Sequence, residues 1–353
     1  MEKTFIQLVR LGIGHRADAP INVVDWNQIK TLAERQVLSA IVVDGIERLP
    51  ESQRPPKDII LEWIGEVLQG YEYRYDAYEK TIADMAGFYN SHRYKMMVLK
   101  GYSCSLDWPK PNHRPCGDID IWQFRDQQEA DAIIEKEKGI KIDNSHHHHS
   151  VYYWGDWMVE NHYDFINTHA HSSSAALEKE FKALGKDDTH YVIVNGEKVY
   201  LPSPNLHALF LLRHTMNHFG SYELTFRQLL DWAFVVEKHK DEIDWEWFEK
   251  MIDRFGMTTM FNIFNTICVE DLGFDASIFP PTHCDLELKK KVYADIFSPG
   301  FSEEEPSEWF PRAILRYRRW KANEWKQRLC YNESRWVSFW RGIISHILKP
   351  ASI

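Results

Sequence analysis

The chain has 353 residues, 44% apolar and 27% charged, so it can bury a sizeable core and is not a disordered segment. Its net charge of −10 argues against a general nucleic-acid-binding surface, and no stable DNA binding is expected. Mean hydropathy is −0.46 and no apolar run approaches the ~20 residues that span a bilayer, so no membrane partner is expected.

The opening Met-Glu-Lys-Thr-Phe-Ile lacks the apolar core and small-residue cleavage site of a secretory leader. Five cysteines, an odd number with no Cys-x-x-Cys spacing, speak against a disulfide framework or a cysteine-built zinc site. A reducing cytoplasm is the expected setting.

Residues 1–94 read as a helical region. Asp25 to Gln28 opens a pattern through Ile29, Leu32, Ala33, Val37, Leu38 and Ile41, and a second runs from Ile59 to about Tyr89. Residues 95–202 change period. Lys95 to Gly101 is a short apolar run ended by glycine, which predicts a buried strand entering a turn; Tyr102 to Gly117, with three prolines, predicts a loop. Asp118 to Trp122 alternates with period two, predicting a strand with both acids on one face. Gln127 to Lys138 predicts a helix, followed by short strands at 140–142, 150–154 and 158–165.

Residues 203–353 return to helix, with strong patterns at 206–218 and 224–236. Between Arg312 and Lys349 ten Lys/Arg face two Glu, a net +8 that leaves −18 on the rest. Four Trp there include helical spacings, so docking against the body is favoured over a phosphate-binding tail.

The chemically pointed feature is Asp118-Ile119-Asp120. Two carboxylates at i and i+2 on a strand repel each other unless a cation lies between them, so a divalent metal is their natural partner. The glycine of Leu99-Lys100-Gly101-Tyr102-Ser103 lets a backbone approach a phosphate closely. A glycine turn carrying a small hydroxyl residue, then a loop, then Gly-Asp-Ile-Asp-Ile resembles the nucleotidyltransferase fold shared with DNA polymerase β. More narrowly, Leu-Lys-Gly at 99–101, Arg114, Gly117 to Ile121, Glu160 to Asp164, Leu211 to His214 and Arg227 to Asp231 resemble the bacterial family of uncharacterised nucleotidyltransferases, in order and spacing from about residue 25 to 240. The hydroxyl stands one place further on than the family's Gly-Ser pair, which leaves Ser103 and Ser105 as alternatives.

The resemblance implies an α+β fold with a central mixed sheet between helical regions. It implies transfer of a nucleoside monophosphate from a nucleoside triphosphate to a hydroxyl acceptor, pyrophosphate leaving. Asp118, Asp120 and Glu160 would hold Mg²⁺ or Mn²⁺, Glu160 also accepting the hydroxyl proton; Asp164 is the alternative third acid. Lys100, Gly101, Ser103, Arg114 and Gly117 would bind the nucleotide. The acceptor, a small molecule, RNA or protein, is not specified. Two rival readings are an inactive nucleotide- or partner-binding module of the same fold and a toxin- or antitoxin-type transferase acting on RNA or protein.

Three other features are weighed separately. The His146–His149 run is internal and can bind metal adventitiously. His214 and His218, at i and i+4 on a helix, lack a third zinc ligand in any recognised motif. Arg227 and Asp231, also at i and i+4, predict a helix ion pair.

Overall fold

Six strands make one mixed sheet: β1 (Met97–Leu99), β2 (Ile119–Trp122), β3 (His149–Trp154), β4 (Trp157–His162), β5 (Tyr191–Val194) and β6 (Glu197–Tyr200), in the order β3-β4-β2-β1-β6-β5. The β2/β4 and β1/β6 pairs are parallel and the others antiparallel. The structure, a computed structural model, describes every residue except 20, 22–24, 222, 300–305, 307, 332, 335, 338, 342–343 and 345–353. Helices before, within and after the sheet make the fold α+β, as expected.

Alternation along the central strands explains their near-continuous apolar sequence, because both faces are covered. Met96, Val98, Ile119 and Ile121 join Tyr78, Ile82, Met85 and Tyr89 of the helix Tyr73–Ser91, with Ile134 of the helix Gln127–Lys138. Met97, Leu99 and Trp122 face a second, larger core with Leu206, Phe210 and Leu229 of the helices Pro204–Ser221 and Phe226–His239. The latter helix begins with a capping box, Thr225 and Gln228 each satisfying the other's backbone N–H. The larger core also holds Phe5, whose ring meets Phe226 at 6.3 Å and Phe297 at 6.2 Å between centroids. Packing crosses the expected divisions after residues 94 and 202, since the larger core joins Phe5, Met97 and Leu206.

Several expectations need correction. The first helical pattern is two helices, Trp26–Arg35 and Ser39–Glu47, separated at Val37 with φ of 57°. The second is interrupted by a π turn, Leu68–Glu72, between Lys57–Val67 and Tyr73–Ser91. The 102–117 stretch is not simply a loop: it takes part in a helix, Gly101–Ser105, and a 3₁₀ turn, Pro111–His113. Residues 140–142 form no strand; the nearest pairing is an isolated bridge of Asp143 to Val151.

The unanticipated β5–β6 hairpin turns at Asn195 and Gly196, both at positive φ, which is the Asn-Gly hairpin signal. At the far end, the helix Glu324–Tyr331 packs on Pro204–Ser221. The ammonium of Lys326 lies 2.5 Å from Asp295, buried, and the Tyr331 hydroxyl donates to Asn217. That part of the basic segment docks on the body; Trp336 and Trp340 are exposed, and Arg335 and Lys349 lie outside the described residues.

Candidate active site

The parallel pairing of β2 and β4 sets Asp120 directly beside Glu160 and Trp122 beside His162. Because side chains alternate, Asp120, Glu160 and His162 leave the sheet on one face. One ligand atom from each lies within 4.8 Å of the others. Lys100, one residue beyond β1, brings its ammonium 2.5 Å from Asp120 Oδ1, and His162 Nε2 is 3.0 Å from the same oxygen and 3.6 Å from Glu160 Oε2. Asp118 stands just before β2, so the two acids are not both on the strand, and it lines the mouth of the site.

The electrostatics divide the three acids. The charge of Asp120, then burial, pushes the Asp118 carboxyl up to about 6. Burial alone would raise Glu160, but the His162 hydrogen bond and the charges of Lys100, His162 and His149 hold it well below the carboxylate range. Burial likewise opposes charge on His162 and Lys100. Hydrogen bonds to Asp120 and Glu160 raise His162 to about 9, and the charges of Asp120, Glu160 and Asp118 raise Lys100. A cluster of acids with cations already drawn onto it, and one acid still reluctant to ionise, suits a divalent cation.

Beside these groups is a cleft of about 320 Å³, a size that holds small ligands. Lys100, Gly101, Arg114, Gly117, Asp118 and Asp120 line it, together with His214, His218, Arg227 and Asp231. Arg114 grips Asp231 with both arms of its guanidinium, at 2.7 and 3.0 Å, and Arg227 reaches the same carboxylate at 2.8 Å. The expected Arg227–Asp231 helix pair is thus present and has a second arginine. Two guanidiniums on one carboxylate leave a surplus positive charge facing the cleft. The Nε2 atoms of His214 and His218 are 3.0 Å apart, and burial lowers both, His218 to about 4, so this wall is a neutral, hydrogen-bonding pair.

Gly101 is required by packing: a Cβ there would stand 2.5 Å from the Tyr78 hydroxyl. That hydroxyl donates to the Asp118 carbonyl at 2.9 Å and so fixes the approach to β2. The unusual backbone belongs to Lys100, at φ 45° and ψ −128°. Ser103 does not line the cleft; its buried hydroxyl donates to the Lys100 carbonyl at 2.7 Å, and Ser105 is turned to Tyr75 and Tyr102. Asp164 pairs with Lys182 instead of joining Asp120. Of the two alternatives for the third acid, Glu160 is the one brought beside Asp120.

Sequence reasoning missed the part played by the histidine run. The β3–β4 hairpin pairs Trp154 with Trp157 across Gly155 and Asp156, and this register sets His149 opposite His162 and Val151 opposite Glu160. A Gly-Asp pair between two alternating runs is a hairpin signal, and counting back from it would have brought the run to Glu160.

A sequence profile of the family described as uncharacterised nucleotidyltransferase matches residues 22–273. The chain belongs to that family. Among solved structures it is similar to an antigenic nucleotidyltransferase-like protein from Paracoccidioides brasiliensis, at 14% identity over 45% of this chain and 75% of that one, with a TM-score of 0.33. That likeness carries no weight here, and no curated protein matches the chain. Among the described residues no helix is long and apolar enough to cross a membrane.

Proposed function

We propose that the chain transfers a nucleoside monophosphate from a nucleoside triphosphate to a hydroxyl acceptor, the bond from the α-phosphate to pyrophosphate breaking as the acceptor oxygen attacks. The observation that carries this reading is the pairing of Asp120 with Glu160 across parallel strands, with Asp120 lining a cleft that also bears Lys100, Arg114 and Arg227. Asp118, Asp120 and Glu160 would hold Mg²⁺ or Mn²⁺, which when bound offsets negative charge on the reacting phosphate oxygens. Lys100, drawn onto Asp120 by charge and a hydrogen bond, is placed to turn to a phosphate once that charge is otherwise met. Arg114 and Arg227 offer guanidiniums to the triphosphate, while Asp231 keeps them from closing on the acidic centre.

Gly101 and Gly117 leave the cleft wall without side chains where a nucleotide would lie. Glu160, held ionised by His162 and Lys100, is better suited to keep a cation than to accept the proton of the acceptor. The neutral His214–His218 pair is placed to hydrogen-bond a sugar or base.

The test is release of pyrophosphate from each of the common nucleoside triphosphates, with Mg²⁺ and cell extract as the source of acceptor. The full chain should release pyrophosphate with at least one of them and Asp120→Asn should not. Tight nucleotide binding with no release under any condition would favour the inactive binding module.

A further inference from the structure

We propose that His148, His149 and His162, with Glu160 as an oxygen ligand, form a site for a nitrogen-preferring divalent transition metal, Zn²⁺ by its chemistry, adjoining the acidic centre. One ring nitrogen from each histidine lies within 4.8 Å of the other two. Ring centroids are 4.3 Å apart for 148 and 149, 5.5 Å for 148 and 162, and 5.2 Å for 149 and 162. Zinc bound to imidazole at ~2.0–2.1 Å in a tetrahedron needs nitrogens somewhat over 3 Å apart, so small ring rotations close the set. Glu160 Oε1 is 3.7 Å from His149 Nε2, so its carboxylate stands beside the set as an oxygen donor.

Two further observations point to a ligand. The Nδ1 atoms of His148 and His149 are buried without a hydrogen-bond partner, and a buried polar atom left so costs free energy that a bound ion would recover. His162 Nδ1 lies 3.1 Å from the Asp164 carbonyl, to which it can donate, so Nε2, which now donates to Asp120 at 3.0 Å, is the nitrogen that would take an ion in place of its proton. Metal-ligating histidines are held by this kind of backbone contact, which fixes tautomer and orientation.

The supporting chain is firm. His149 pairs with His162 across β3 and β4, and the His148 carbonyl accepts from the N–H groups of Tyr163 and Asp164, both at 3.0 Å. Three imidazoles and one carboxylate select Zn²⁺ or its neighbours over Mg²⁺, which demands oxygen ligands. The site does not depend on the nucleotidyl-transfer reading. It shares Glu160 and His162 with that centre, Glu160 turning Oε1 toward His149 and Oε2 toward His162, so its carboxylate is common to both.

The experiment uses the full chain made without an added histidine tag, stripped by chelator and titrated with Zn²⁺ in millimolar Mg²⁺. One equivalent should bind, and Co²⁺ in its place should give the intense visible bands of tetrahedral coordination. His148→Ala and His149→Ala should each weaken binding by more than the 10–100-fold typical of losing an outer-shell partner. His147→Ala, whose ring faces His169 at 5.2 Å, should leave it unchanged. Equal weakening by all three substitutions would reveal a merely tag-like run and overturn the proposal, as would full displacement by Mg²⁺ or an octahedral Co²⁺ spectrum from the unmodified chain. Tetrahedral Co²⁺ in a chain that releases no pyrophosphate would sustain this site and defeat the proposed function alone.

Discussion

Two acids, the buried Asp231 and the half-buried Asp118, face the same cleft and live in opposite conditions. Asp231 accepts from the Trp108 indole at 2.9 Å, from Arg114 twice and from Arg227, so its charge is fully met by protein groups. Asp118 looks at Asp120 and Glu160 and is pushed up to about 6. The first acid is a structural post that holds two arginines at the cleft wall. The second is a charge for which the protein alone supplies no adequate partner. Buried charges that are left unsatisfied are where a protein expects something from outside.

That contrast can be broken by substitution. Asp231→Asn leaves the buried Arg114 and the half-buried Arg227 without their counter-charge, and removing one member of such a buried set costs ~3–5 kcal/mol. Thermal unfolding should show it as the largest destabilisation among single changes at the cleft, and a Tm within a degree or two of the parent would deny Asp231 its role as a post. A smaller effect is expected at Glu178, which accepts from the backbone N–H of Phe165 and Ile166 just after β4. Burial first, then Asp164, pushes its carboxyl up to about 7. A folded value above the unfolded one gives stability that is complete below the usual carboxylate range and is lost as pH rises through about 7. The loss is of order 3 kcal/mol at most, at ~1.4 kcal/mol for each tenfold change in proton affinity. Denaturant midpoints between pH 4 and 8 should show this slope in the parent chain and lose it in Glu178→Gln.

Asp118→Asn should act in the reverse sense to Asp231→Asn. Its raised carboxyl likewise contributes stability at low pH that is lost as pH rises through about 6, so removing the charge should raise stability above that pH by ~1–2 kcal/mol in the absence of divalent ions. A melt at pH 8 checks the sign. The smallest expected change is Ser103→Ala, whose hydroxyl only donates to Lys100, worth about 1 kcal/mol with nucleotide affinity unchanged. A large loss of nucleotide affinity in that variant would return Ser103 to the binding site.

The acidic centre was legible in the sequence because its elements are short-range patterns: Met97–Leu99 and Ile119–Trp122 sit within the runs expected for them, and the helix Gln127–Lys138 matches in full. Glu160 followed from the family resemblance, and the pairing with Asp120 fits it. The partners of Arg114 were not legible. Asp231 lies 117 residues further on, and no local rule reports a contact at that separation. The break at Val37 was missed because apolar periodicity continues across it, although its backbone is left-handed. The Lys100 backbone, unusual for a residue with a side chain, was read as a property of the glycine beside it. Gly101 instead yields room to Tyr78, a residue the sequence placed only on a helix face.

The most direct measurement is calorimetric binding of a non-hydrolysable nucleoside triphosphate analogue, with and without Mg²⁺, to the full chain and to Asp118→Asn, alongside their melting temperatures. If Asp118 and Asp120 form the metal-dependent nucleotide centre, the parent chain binds the analogue only with Mg²⁺. The variant then loses that binding while melting no lower than the parent. Equal Mg²⁺-dependent affinity in the two proteins would contradict it.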